Sequence, residues 1–324
     1  MVVPTLIGIL TLVFILLQAI PGDPAIALAG DKATPAQIDA IRTAYGLDRP
    51  LPTQYAYFVK AAVTLDFGRS LRTHQPVTHE LHQVFGATIE LSIAALVIAL
   101  IIGIPLGVIA ATRRNTPADY FSMIFALIGI STPVYWSGIV CIYLLSFRLG
   151  IFPIAGVMDS TIELRHITYG YVTDSILTGN WPAFRSSVYH LALPAIVLST
   201  IPMAIIARMA RSSMLEVLEL DYLRTARAKG LADRSVIVRH ALKNALIPVV
   251  TVIGLQFGGL LSGAFLTETV FARPGVGRYV VAAIGARDYP VIQATVFIVA
   301  VLFVLINLLV DLLYAFLDPR IQYD

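Results

Sequence analysis

The stretch LSIAALVIALIIGIPLGVIAAT, Leu91 to Thr112, decides the fold. It runs for 22 residues without an Asp, Glu, Lys or Arg. About 20 mostly apolar residues are enough for a helix to cross the hydrocarbon core of a bilayer. Five more charge-free runs of that kind surround it: Met1–Gly22, Tyr120–Phe147, Ser186–Ala207, Asn244–Thr267 and Tyr289–Val310. In lipid, only helices and closed barrels satisfy their own backbone, and these unbroken runs lack the alternation of barrel strands. The expectation is an all-α integral membrane protein with six transmembrane helices.

Composition agrees. Of 324 residues, 57% are hydrophobic and 13% charged, and the mean hydropathy is +0.80. A soluble domain carries about a quarter charged residues, so a disordered chain is excluded and a cytosolic enzyme is disfavoured. The single cysteine, Cys141, rules out an internal disulfide framework and a multi-thiolate zinc site. A net charge of +3 is too small to argue for nucleic acid as a partner. Without a linker, low-complexity tract or strong repeat, residues 1–324 read as a single membrane domain.

Lys and Arg in short loops set the orientation. Segments 112–119, 208–243 and 318–324 hold 11 of them in 51 residues, against 6 in 59 for segments 148–185 and 268–288. The first set is therefore expected to be cytoplasmic, with both termini inside. Residues 23–90 then form a large external segment after the first helix, and 148–185 an external loop. The first run is read as an anchor although Ala27-Leu28-Ala29 resembles a cleavage site. No basic residue precedes it, and it exceeds the 7–15 apolar residues of a signal peptide core. That missing basic residue also points to a natural start upstream of Met1.

The cytoplasmic stretch 208–243 is long for a connector. Its centre reads Asp221-Tyr222-Leu223-Arg224-Thr225-Ala226-Arg227-Ala228-Lys229-Gly230-Leu231. Leu220, Leu223, Ala226 and Ala228 among Arg224, Arg227 and Lys229 suit a short amphipathic helix, capped by Asp221 and ended by a left-handed Gly230. A second short helix, about Asp233 to Ala245, is expected to lead into the fifth span. Such a unit can dock into a groove on a soluble partner or lie on anionic lipid.

The sequence of this loop resembles the coupling loop of permease subunits in binding-protein-dependent ABC importers, closest to the dipeptide and oligopeptide group. Those permeases carry Glu-Ala-Ala, three residues, then Gly, with Ile-x-Leu-Pro further on. Here Ala226 and Gly230 match, while Arg224, Thr225 and His240-Ala241-Leu242-Lys243 depart. The peptide group's own form, Asp-Tyr-x-Arg-Thr-Ala-Arg-Ala-Lys-Gly, is whole at 221–230. Further matches follow in order: Pro21-Gly22-Asp23-Pro24, Phe67-Gly68-Arg69-Ser70, Thr267-Glu268-Thr269-Val270-Phe271 with Pro274-Gly275-Val276-Gly277-Arg278, Arg287-Asp288-Tyr289-Pro290, and Asp318-Pro319-Arg320-Ile321.

The resemblance implies a type I importer permease in a bacterial inner membrane, paired with a second, homologous permease. It also implies two ABC ATPase domains and an extracellular or periplasmic substrate-binding protein. Asp221, Tyr222, Arg224, Thr225, Ala226, Arg227, Ala228, Lys229 and Gly230 become the ATPase-coupling residues; if Ala226 faces the ATPase, there is room there only for a methyl group. Short peptides are the implied cargo, while related permeases serve nickel, glutathione or oligosaccharides. The chain has no Gly-x-x-x-x-Gly-Lys-Ser/Thr phosphate cradle. The expectation is a non-catalytic subunit without cofactor, ATP and Mg being held by its partners. A secondary transporter or channel is the alternative of a different class, and it needs no such loop.

Carboxylates inside membranes are costly and often functional. Glu90 and Glu268 are candidates for the outer mouth and substrate path, whereas Asp311 reads as an end-of-span residue. His74, His79 and His82, with Glu80 between, read as surface residues, so no metal site is assigned. Gly103 and Gly107, and Gly259 and Gly263, have the spacing of close-packed membrane helices. Pro105 and Pro133 mark candidate bends.

Overall fold

The computed structural model describes residues 2–19, 25–26, 33–44 and 46–317. The motifs at 21–24 and 318–321 and the cleavage-like 27–29 lie outside them. Among the described residues the chain is helical, with one isolated bridge pairing Arg69 and Pro76. Chain order gives α1 (Val2–Ala19), α2 (Pro35–Ala44), α3 (Leu51–Thr64), α4 (Val77–Thr112) and α5 (Pro117–Ser131). Then come α6 (Val134–Cys141), continued by a wide-turn segment Ile142–Arg148, α7 (Tyr171–Leu177), α8 (Trp181–Leu218) and α9 (Asp221–Ala228). The chain ends with α10 (Asp233–Ser235), a second wide turn Val236–Ala241, α11 (Leu242–Gly263), α12 (Phe265–Val270), α13 (Val276–Gly285) and α14 (Tyr289–Leu317).

Among the described residues, four helical stretches are long and apolar enough to cross a membrane: Val77–Thr112, Trp181–Leu218, Asp233–Leu261 and Tyr289–Val310. The run expected as one span, Tyr120–Phe147, is instead α5 and α6 bent by 101°. Pro133 causes the break, because it lacks an N–H and forces Thr132 into extended backbone (φ −94, ψ 124). Pro105, in contrast, lies within the uninterrupted α4.

Helix ends also differ from the expected loop bounds. Charge-free runs mark the lipid-compatible part of a helix, and the helices outrun it. α4 begins at Val77, so residues 77–90 are helix and Glu90 is mid-helix. α8 reaches Leu218 through its inner prolines Pro194 and Pro202. At 38 residues it is about 57 Å long at 1.5 Å per residue, well beyond a core of about 30 Å. The second short helix expected near 233–245 is not separate, because α10 and the wide turn run straight into α11.

α4 and α8 pack closest. A Cβ at Gly103 would lie 2.8 Å from Met203 O, and one at Gly107 would lie 2.5 Å from Ala207 O. The expected close packing holds there, since only hydrogen permits that approach. It fails on α11: Gly259 faces open space, and Gly254 and Gly258 are the residues against Val310 and Phe303 of α14. The surroundings of Gly263 and the side chain of Asp311 fall outside what the structure describes.

Candidate functional site

Two polar regions sit at opposite ends of this bundle. The first is α9, held out by the end of α8. Leu223 is fully buried, with Met214, Val236, Ala241 and Ala245, and half-buried Ala226 packs on the same cluster. Ala226 therefore packs, in part, on its own chain. The helix ends as its glycine predicts: Gly230 has φ +79 and its N–H bonds Arg227 O at 2.9 Å. Its start does not, because Leu220 is the N-cap residue and no side chain caps the helix. Asp221 instead lies beside Arg224 at 3.6 Å, and Arg227 beside Asp233 at 3.7 Å, exposed pairs that contribute little.

The face α9 leaves exposed carries Asp221, Tyr222, Arg224, Thr225, Arg227, Ala228 and Lys229. It is tied back at one point. Asn244 Nδ2 donates to the Tyr222 hydroxyl at 2.7 Å, and that hydroxyl donates to His240 O at 3.2 Å. Nearby, Arg211 of α8 makes two hydrogen bonds of 2.8 Å to buried Asp119 of α5. α9 is thus joined to α8 through the Leu223 cluster and to α11 through Tyr222.

The second region is built from carboxylates that hold backbone N–H groups. Glu268, 1% exposed, accepts from Thr88 Oγ1 at 2.6 Å and from Arg278 N–H at 3.0 Å. Val276 N–H donates to Thr88 Oγ1 at 2.9 Å. Glu268 and Thr88 together thereby satisfy the first donors of α13, which have no partner inside their own helix. Gly275 lacks a side chain because the Glu268 carboxyl fills that space.

Glu90 does the same for α7, accepting Val172 N–H at 3.2 Å and Thr173 N–H at 2.6 Å. Asp288 Oδ2 takes Ser70 Oγ at 2.6 Å and Leu71 N–H at 3.0 Å. Asp174 gathers the N–H groups of Ile167, Thr168 and Tyr169 at 2.8–3.1 Å. Burial pushes Asp174 up, yet the bonds from Thr168 and Ile167 and the adjacent His166 hold its carboxyl below the usual range.

Sequence motifs more than 170 residues apart are thus partners. Asp288 of the Arg287–Pro290 motif fixes the loop after Phe67–Ser70. Thr88, Asp174 and Asn244 were missed because a single Thr, Asp or Asn gives no spacing signal. Arg273, also 1% exposed, adds positive charge near Glu90 and Glu268, although its Nε and Nη1 have no hydrogen-bond partner among the described residues. The histidines are not gathered: His82 packs edge-on against Tyr169. No group of three His, Cys, Asp or Glu among the described residues could hold a metal ion.

Membrane-length helices that present a short polar helix beyond their ends form the architecture of a multi-pass membrane transport subunit. The chain belongs to the family of binding-protein-dependent transport system inner membrane components, which it matches over residues 103–323; residues 1–94 match that family's N-terminal region. It is 48% identical to a dipeptide transport system permease protein of Alkalihalophilus pseudofirmus, covering 100% of this chain and 97% of that one. It is 45% identical to the dipeptide permease of Escherichia coli K12, covering 100% and 96%. A di/tripeptide permease of Pseudomonas aeruginosa is also 45% identical, covering 100% and 97%. A solved inward-facing structure of the MetNI methionine ABC transporter shares the fold, with a TM-score of 0.53 at 16% identity, covering 72% of this chain and 93% of that one.

Proposed function

We propose that the chain forms half of the membrane pathway of an ATP-driven importer of short peptides. The observation that carries this reading is identity of 45–48% along the whole chain to dipeptide and di/tripeptide permeases. In this reading six spans cross a bacterial inner membrane: α1, α4, the bent α5–α6 pair, α8, α11 and α14. Both termini are cytoplasmic, as the excess of Lys and Arg in 112–119, 208–243 and 318–324 supports. A second, homologous permease completes the path, and an external binding protein delivers the peptide.

Two ATPase domains hold ATP and Mg, and one receives the exposed face of α9, residues Asp221 to Gly230. The basic face of α9 and its fixing to both α8 and α11 support this. Glu90 and Glu268 belong to the outer mouth as its framework, since their oxygens are engaged by the chain's own amides and by Thr88 and Thr173.

Uptake of labelled dipeptides in cells with and without the chain tests the substrate. Loss of dipeptide uptake without the chain is expected. Unchanged dipeptide uptake with lost nickel, glutathione or oligosaccharide uptake overturns it. Tyr222→Phe tests the transmission: it removes the hydroxyl linking α9 to α11 but keeps the Leu223 packing. We expect a severalfold fall in peptide imported per ATP hydrolysed, measured in reconstituted vesicles.

A further inference from the structure

Most polar side chains in the membrane-length helices are accounted for within the chain. Thr112, Ser199, Thr200 and Thr295 donate to carbonyls about one turn back on their own helix, and Asn307 donates to Phe303 O. The hydroxyls of Ser92, Ser187, Thr251 and Thr267 lack partners but are buried in the protein. Gln256 fits neither group. It lies midway along the charge-free run Asn244–Thr267, is partly exposed, and its carboxamide bonds to no described residue. Hydrocarbon offers an amide no partner, so a lipid-facing position for it is strongly unfavourable.

The surroundings of Gln256 describe an open face. Asn244, Pro248, Leu255 and Gly259 are exposed, and their spacing of four, seven and four puts them on one side of the helix. A Cβ at Gly259 would meet nothing within 4 Å, whereas Gly254 and Gly258 are closed off by α14. An exposed face meant for lipid looks different, as α4 shows with Ile93, Val97 and Ile101. The face on α11 instead carries Asn, Pro and Gly beside one leucine, Leu255, with the Gln amide at its edge. Its base is Asn244, the residue bonded to Tyr222 of α9.

We propose that this face of α11 lines the substrate path, and that the Gln256 carboxamide hydrogen-bonds the main chain of the passing peptide. A carboxamide presents a donor NH2 and an acceptor C=O, the pair that a peptide bond also presents. It can hold a peptide of any sequence without reading side chains. The inference rests on the peptide-import reading above.

The test uses the assembled importer in vesicles. Gln256→Leu is expected to lower dipeptide uptake at limiting peptide about tenfold, the scale of one hydrogen bond, and Gln256→Asn to recover part of it. In a Cys141→Ser background, Gly259→Cys is expected to react with a charged, water-soluble thiol reagent, and the reaction to block uptake. Parental uptake by Gln256→Leu overturns the role of Gln256. An unreactive Cys at 259, or loss of the second permease from purified Gln256→Leu complexes, overturns the path in favour of a lipid or subunit contact. If the parental complex imports no dipeptide, the peptide reading fails, and labelling at 259 still decides whether this face lines a path.

Discussion

Gly230→Val is expected to leave the protein inserted and assembled with its partners, yet to abolish ATP hydrolysis stimulated by the binding protein. Gly230 has φ +79, where a residue with a Cβ costs about 1–2 kcal/mol and a β-branched residue more. The space around it is open, so the penalty is one of backbone conformation and not of crowding. That penalty favours a looser turn, which weakens the packing of Leu223 and Val236 in one cluster. Gly230→Asn separates strain from loss of side-chain room, since Asn tolerates the left-handed region and should retain most activity. Subunit copurification and ATPase rate, measured together in vesicles, check the result. Full stimulation in the Val variant would reduce the loop to a connector.

The second large effect is expected from Glu268→Ala. It removes the acceptor of Thr88 Oγ1 and Arg278 N–H and leaves buried Arg273 facing one carboxylate fewer. Leaving a buried donor without its acceptor costs about 1–3 kcal/mol, and two donors lose theirs here. Gly275 then borders a void, since its bare backbone abuts the lost carboxyl. A clear fall in the thermal midpoint of the purified complex is expected. Thr88→Val, which removes one hydroxyl and keeps the carboxylate, should cost less. An unchanged midpoint for Glu268→Ala would contradict the framework role of this residue.

The sequence by itself determined where lipid can be: absence of charge over 20 residues is a local property, and the described part of all six such runs is helical apart from the breaks at Thr132–Pro133 and Ala264. It also determined the left-handed end of α9, because Gly at that point answers a purely local demand on φ. The bend at Pro133 was legible as a position and not as a 101° angle, which depends on what α5 and α6 pack against.

Other features were decided only in three dimensions. Ala226 packs, in part, on its own chain because the path of the loop brings Val236 and Ala241 over α9. Gly254 and Gly258, and not Gly259, meet α14, because one residue turns a helix face by 100° and periodicity alone does not say which side has a neighbour. Glu90 and Glu268 read from sequence as charges available to a ligand. The fold spends them on the N–H groups of α7 and α13, since a helix start with unmet donors and a buried carboxylate each lower the other's cost only when tertiary packing brings them together.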